Sequence, residues 1–357
     1  MYQKKVYCQL PWTRMKIQCD GNVTMCCHQS SSGSLGNLLE VNDWKDLWFS
    51  QKAKEIRKSV SRSQLHEACN TKECPFRYYN LSFTQSFLFN ENAYPLDIEI
   101  DLHASHCNYG GKNASPETTC VMCPRQSEYV RHHIITKPDK TFEILEKVKP
   151  LMPHLTSMSL LGLSEIFWQN KVFEIFDFID FKKYRKELIF WSNTNGSVFD
   201  HTKMKTFSEY VCKSRLYFSL DACTSETYLK IRKNNLFERV VGNLKTWNEY
   251  RKKLNANGHN HTVGIFNNIN ILNVSEVPKM VEMAAEIGVD MITLTPTNNV
   301  CNMPELSTLL VNKQNWELFS DVEKEAYKIA KTHDIELNIV RPLALGFEQQ
   351  LVQINLL

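Results

Sequence analysis

The chain has 357 residues, 43% hydrophobic and 23% charged, which is enough apolar material for a packed core and excludes wholesale disorder. Its 42 Lys and Arg against 39 Asp and Glu give a formal charge of +3, too balanced for nucleic acid or an anionic membrane as the main partner. No apolar run reaches the ~18 residues of a membrane span, and residues 1–8 lack the apolar stretch of a secretory signal, so a cytoplasmic location is expected.

Residues 1–80 have few apolar runs and many polar turn signals. Asp20-Gly21, between 15–17 and 23–25, reads as the turn of a hairpin. Residues 43–58 space Trp44, Leu47, Trp48 and Ile56 as one face of a helix, capped by Asn42 or Asp43. A unit of this size with so thin a core needs a staple. Cysteines at 8, 19, 26, 27, 69 and 74 can supply it.

From about Pro95 short apolar strands alternate with helices. The strands are expected at 97–103, 156–161, 187–192, 215–220, 262–269 and 290–295, with 336–340 as a seventh. The helices are expected at 141–148, 172–178, 226–232, 240–254, 277–287 and 316–331. This alternation specifies a parallel sheet of right-handed βαβ units. Six or seven such units suit a full or partial (β/α) barrel, whose chemistry sits at the C-terminal strand ends. The expected division is a cysteine-rich domain at 1–80, a linker at 81–94, the barrel at 95–345 and a tail at 346–357.

Twelve cysteines is high usage, and most are clustered. In a reducing compartment clustered thiols bind metal more often than they pair. Cys107, Cys120 and Cys123 follow the first barrel strand. Three thiolates are one short of a structural zinc site, whose fourth ligand could be His103, His106 or water. On a 4Fe–4S cluster the same three leave one iron open to a small chelating ligand. Cys212, Cys223 and Cys301 read as small core or loop residues, and His132-His133 as a surface pair.

Several motifs then fall in order along the strands. Asp97-Ile-Glu-Ile-Asp-Leu-His-Ala-Ser-His-Cys107-Asn108 runs from a strand into a cysteine, and Cys120-Val-Met122-Cys123 ends the loop. Leu161-Gly162-Leu-Ser164-Glu165-Ile166 follows the second strand and Thr194-Asn195-Gly196 the third. Ser219-Leu-Asp221, Glu226 and Arg232 belong to the fourth, and Asn268 and Asn270 to the fifth. Over roughly 97–296 these residues resemble the radical S-adenosylmethionine (SAM) superfamily. The resemblance implies an α/β fold, a partial (β/α)6-type radical SAM barrel, with a 4Fe–4S cluster on Cys107, Cys120 and Cys123. It implies that Met122 contacts adenine and Glu165 accepts from the SAM ammonium. It places Ser219 near the ribose, Arg232 on the carboxylate through its planar fork, and Asn270 as a polar contact. The sequence departs from the family pattern in having twelve residues, not three, between the first two cysteines. Ser164 and Ile166 also stand where Gly and Pro are usual.

In the N-terminal part, Cys8 precedes Gly21, Cys26 follows it by four intervening residues, and Cys69-Asn-Thr-Lys-Glu-Cys74 completes a quartet. This pattern resembles the SPASM or twitch auxiliary-cluster domain, here placed before the barrel where it more often follows. It implies a second, auxiliary 4Fe–4S cluster on Cys8, Cys26, Cys69 and Cys74. Cys27 can replace Cys26, because strand neighbours face opposite sides, and Cys19 is read as a spare thiol. A four-cysteine zinc staple is the alternative. Together the resemblances imply reductive cleavage of SAM to a 5′-deoxyadenosyl radical and hydrogen abstraction from a peptide or small polar substrate. The auxiliary cluster would aid oxidation or substrate binding, and a one-electron donor such as flavodoxin or ferredoxin would be the partner. The competing reading is a non-catalytic iron–sulfur or zinc-binding barrel that serves as a binding or assembly module.

Overall fold

The computed structural model describes residues 8–26, 31–62, 66–69, 92–297, 304–311 and 316–339. Cys27, Cys74, Cys301, most of the expected linker and the expected tail lie outside the described residues. The chain divides into two compact units, one of residues 1–102, 139–162 and 346–357, the other of 103–138 and 163–345.

In the first unit β1 (Arg14–Ile17) and β2 (Asn22–Thr24) form the expected antiparallel hairpin. Its turn closes at Gly21, whose φ of 92° and close approach to Asn37 and Leu39 leave no place for a Cβ. β3 (Gly36–Asn37) adds to β2. The helix expected at 43–58 is two: α1 (Trp44–Trp48), capped by Asp43, and α2 (Gln51–Ser61). The break comes from Ser50, whose side chain accepts from Ala53 N and so starts a second helix. β4 (Asp97–Leu102) and β5 (Ser157–Gly162) are parallel, with α3 (Thr141–Val148) preceding β5.

The hairpin does not stand apart from the barrel's first strands. β1 pairs in parallel with β4, giving the order β5-β4-β1-β2-β3 within this unit. The reason lies in alternation along both strands. Met15, Ile17, Ile98 and Ile100 are fully buried on one face. On the other, Arg14 Nε lies 2.6 Å from Asp97, and Lys16 Nζ lies 2.5 Å from Glu99 and 3.2 Å from Asp101. Two cations on β1 thus meet three carboxylates on β4. That complementarity fixes the register and covers an edge that would otherwise expose unpaired backbone.

In the second unit β6 (Ile189–Thr194), β7 (Lys213–Ser219), β8 (Asn260–Ile269), β9 (Met291–Pro296) and β10 (Glu336–Ile339) pair in parallel and in sequence order. α4 (Lys171–Phe178) precedes β6, and between the strands run α5 (His201–Tyr210), α6 (Ser225–Arg232), α7 (Phe237–Ala256), α8 (Val277–Ile287) and α9 (Trp316–Thr332). Phe190, Leu216, Phe218, Val263, Ile265, Ile292 and Leu294 are fully buried on one strand face. Aromatic packing from the helices completes this core, with Phe167 stacked on Phe199 at 4.0 Å and Phe207 edge-on to Trp247 at 5.8 Å. On the alternate positions Trp191, Asn193, Tyr217 and Thr293 are half-buried. Among the described residues the strand order within each unit is linear, and this α/β fold is a partial barrel.

Candidate functional site

The long gap between Cys107 and Cys120 is filled by a loop folded on itself. Arg125 is buried and donates to Tyr109 O at 2.7 Å and to Gly111 O. Gly110, with φ of 81°, sits so close to Thr118 and Thr119 that a Cβ would collide with their hydroxyls. A turn closed by Cys123 N donating to Cys120 O at 2.9 Å holds the last two cysteines, with Met122 half-buried inside it.

The three thiols lie within electrostatic reach of one another: Cys120 raises the cost of ionising Cys107, and Cys120 and Cys107 raise that of Cys123. Burial is the larger cause, and pushes Cys107 up to about 11, Cys123 up to about 12 and Cys120 upward as well. Without added positive charge they are neutral thiols; a bound metal centre supplies the charge that makes thiolates of them. Among the described residues no three His, Cys, Asp or Glu are close enough to hold a single metal ion. Tetrahedral zinc would draw thiolate sulfurs to about 3.8 Å from one another, given Zn–S bonds of ~2.3 Å. A polynuclear iron–sulfur centre takes its thiolates further apart than a single ion does. His103 is also spoken for: its Nδ1 is 2.8 Å from Ser105 Oγ and its Nε2 2.9 Å from Ile134 O.

Glu165 stands next to this loop, its N–H donating to His106 O at 2.7 Å. Its carboxylate accepts from Thr194 Oγ1 at 2.7 Å, Asn195 N at 2.5 Å and Phe167 N at 3.2 Å. Burial outweighs these bonds and raises its pKa. Asn195 also donates to Asn108 Oδ1 at 2.8 Å, and Asn108 donates to Ser197 Oγ at 3.0 Å. The Thr194-Asn195-Gly196 turn is therefore tied both to Glu165 and to the residue after Cys107. Gly196, with φ of 73°, presses on Phe218 where a side chain could not fit.

On the other side lies the last turn of α6. Val121 N donates to Ile231 O at 2.9 Å, docking the cysteine loop onto that helix. Arg232 reaches three groups: Asp221 Oδ2 at 2.5 Å, Ser219 O at 2.9 Å and Cys120 Sγ at 3.6 Å. Asp221 in turn accepts from Asn268 N at 2.7 Å. Tyr109 and Tyr228 join their hydroxyls at 3.0 Å beside them.

The residues expected at the site differ in what they do in this structure. Cys107, Cys120, Cys123, Glu165 and Arg232 come together with Met122 on the same loop. Ser219 takes part through its carbonyl, and Arg232's fork engages Asp221. Asn270 is buried with its Oδ1 accepting from Leu272 N at 2.9 Å, so its side chain serves the turn after β8. Sequence reasoning assigned no site role to Asp221, Asn108, Tyr109, Tyr228 and Arg125. Asp221 and Asn108 carried a signal, since both are polar residues at strand ends within the quoted motifs. His132 and His133 are exposed, Cys212 is buried and Cys223 is half-buried.

In the first unit Cys8 is buried just before the helical turn Leu10–Thr13, and Cys26 and Cys69 are half-buried. Cys26 follows β2, its carbonyl accepting from Thr24 Oγ1 at 3.1 Å, and Cys69 N donates to His66 O at 2.8 Å. Burial and the neighbouring Asp20, Asp101 and Asp139 push Cys19 up to about 11, surroundings that disfavour a thiolate.

Residues 8–75 match the SPASM domain, an iron–sulfur cluster-binding domain. The SPASM segment takes in Cys8, Cys26, Cys69 and Cys74. No curated protein matches the chain in sequence. Among solved structures it is similar to SuiB of Streptococcus suis bound to S-adenosylmethionine, with 14% identity, a TM-score of 0.45, and 85% of this chain and 57% of that one covered. SuiB bound to its precursor peptide SuiA gives 11% identity and a TM-score of 0.46, over 91% of this chain and 70% of that one. The anSMEcpe structure with bound AdoMet gives 16% identity and a TM-score of 0.48, over 69% and 64%. The chain thus spans less than two thirds of SuiB in its S-adenosylmethionine complex and of anSMEcpe. No helix among the described residues is long and apolar enough to cross a membrane.

Proposed function

We propose that the chain is a cytoplasmic radical SAM enzyme of the oxidoreductase or modifying type, with one auxiliary 4Fe–4S cluster in its SPASM segment. The observation that carries this reading is the group of three thiols, Cys120 buried and Cys107 and Cys123 half-buried, set between the Glu165 carboxylate and the Arg232–Asp221 pair. Cys107, Cys120 and Cys123 would hold a 4Fe–4S cluster, and that group with SAM would supply a 5′-deoxyadenosyl radical by one-electron reduction, for hydrogen abstraction from the substrate.

The rest is the work of the chain. Glu165 accepts from the SAM ammonium while Thr194 and Asn195 hold its carboxylate still. Arg232 Nε, buried and without a hydrogen-bond partner among the described residues, is a donor open to the SAM carboxylate. Met122 and Ser219 are proposed to complete the contacts, while Asn270 shapes the turn after β8. The half-buried Trp191, Asn193, Tyr217 and Thr293 form a mixed aromatic and polar strand face that suits a peptide or small polar substrate. Cys8, Cys26, Cys69 and Cys74 hold the auxiliary cluster, and flavodoxin or ferredoxin serves as the external electron donor.

The test is iron, sulfide and SAM binding in anaerobically reconstituted Cys107→Ala, Cys120→Ala and Cys123→Ala proteins. Each is expected to lose the central cluster and with it SAM affinity. Wild-type iron content and affinity in all three would overturn the reading.

A further inference from the structure

We propose that Arg232, held in place by Asp221, is a positioning residue that donates to the Cys120 sulfur and raises the reduction potential of the cluster bound there. This rests on the reading of Cys107, Cys120 and Cys123 as cluster ligands. The geometry is direct, with Arg232 Nη1 3.6 Å from Cys120 Sγ and Nη2 2.5 Å from Asp221 Oδ2. The side chains are 9% and 0% exposed, so both charges act on the sulfur with little screening by water.

Hydrogen bonds to ligating sulfurs and net local charge are two of the levers that set an iron–sulfur potential. A guanidinium beside a thiolate favours the reduced cluster, which carries one more negative charge. Asp221 pulls the other way and moderates the effect. A buried ion pair adds little stability over an apolar pair of the same volume, so stability alone is a poor reason for this one.

The arrangement is also rigid. Ser219 O takes a second hydrogen bond from the guanidinium at 2.9 Å, Asn268 N pins Asp221 at 2.7 Å, and Val121 N fastens the cysteine loop to Ile231 O at 2.9 Å. The cation therefore keeps its place beside Cys120 when the cluster changes charge.

The experiment is an EPR-monitored redox titration of the reconstituted full-length protein without SAM, the central cluster being marked by the signal lost in Cys120→Ala. Arg232→Gln removes the cation and leaves Asp221, and should shift the reduction equilibrium against the reduced form about tenfold, which is 59 mV downward for one electron. Asp221→Asn leaves the cation uncompensated and should shift the potential upward. Arg232→Lys keeps the charge and should stay closer to wild type than Arg232→Gln.

A merely structural pair would alter iron content or melting temperature and leave the potential unmoved. No shift in either single variant, or shifts of the same sign, would overturn the inference. Where Arg232→Gln fails to fold, Asp221→Asn decides: an upward shift supports the inference and an unmoved potential overturns it. If no signal is lost in Cys120→Ala, the ligand reading itself fails, which is a different result from a cluster whose potential ignores both substitutions.

Discussion

The Glu165 carboxylate accepts a 2.7 Å hydrogen bond from Thr194 Oγ1 and another from Asn195 N while its own N–H donates to His106 O, so one buried residue gathers the turn after β6 and the loop that carries Cys107. Glu165→Gln presents an NH2 group where one of these donors needs an acceptor. The orphaned donor should cost about 1–3 kcal/mol in stability. SAM affinity should fall about 10- to 100-fold, as expected for a lost charge-assisted hydrogen bond, with iron content unchanged. Isothermal titration and thermal melts check this; unaltered affinity would remove Glu165 from the SAM site.

The SPASM segment should hold its iron independently of the barrel triad. A variant lacking Cys107, Cys120 and Cys123 should keep about four irons and four sulfides per chain if Cys8, Cys26, Cys69 and Cys74 complete a coordination shell. Adding Cys69→Ala and Cys74→Ala should remove that iron. Zinc in its place after anaerobic purification would make the site a staple and end its role in electron transfer.

Lys16 is the cation that bridges Glu99 and Asp101 between β1 and β4. Lys16→Met should destabilise the protein by about 2 kcal/mol, less than the ~3–5 kcal/mol of a fully broken buried pair because Arg14 lies near Glu99 as well. Urea unfolding measures the loss. A change within about 0.5 kcal/mol would show that the β1–β4 pairing draws little from this ladder.

Stability should also depend on pH through His261. The ring is fully buried, 2.8 Å from Ser214 Oγ and 3.1 Å from His259 Nδ1. Burial, with His259 and Arg251 nearby, holds its pKa down at about 3. Unfolded histidine titrates near ~6.5, so below that pH the unfolded chain takes up a proton that the folded one refuses. The contribution is complete above about pH 6.5 and is lost as pH falls, by at most ~1.4 kcal/mol per unit. Unfolding curves from pH 5 to 8 should show this slope, and His261→Asn should flatten it.

The strand order of the barrel and most of its helices were legible because each strand is a short apolar run and most helices carry apolar residues at helical spacing. β9, for example, was expected at 290–295 and is Met291–Pro296. The helix His201–Tyr210 was not legible, since Met204 and Phe207 are diluted among polar residues and its start rests on Asp200 capping Lys203 N. The parallel β1–β4 pairing joins residues 83 apart through charges, and no local pattern announces it. In the site, the cysteine cluster stood out by its spacing and Glu165 was named only through the family resemblance, whereas the pairing of Asp221 was announced by neither. Its pairing with Arg232 needs the tight turn at Thr224, whose side chain accepts from Thr227 N and starts α6 with Arg232 in its last turn. The folding of the 109–119 insertion likewise depends on Arg125, a residue outside every motif.

The most direct test of the central claim is the product of SAM under anaerobic reducing conditions with the reconstituted protein. The account predicts 5′-deoxyadenosine and methionine, formed by the wild type and absent in Cys107→Ala, Cys120→Ala and Cys123→Ala. No cleavage by a protein that carries its iron and binds SAM, or methylthioadenosine as the sole nucleoside product, would contradict it.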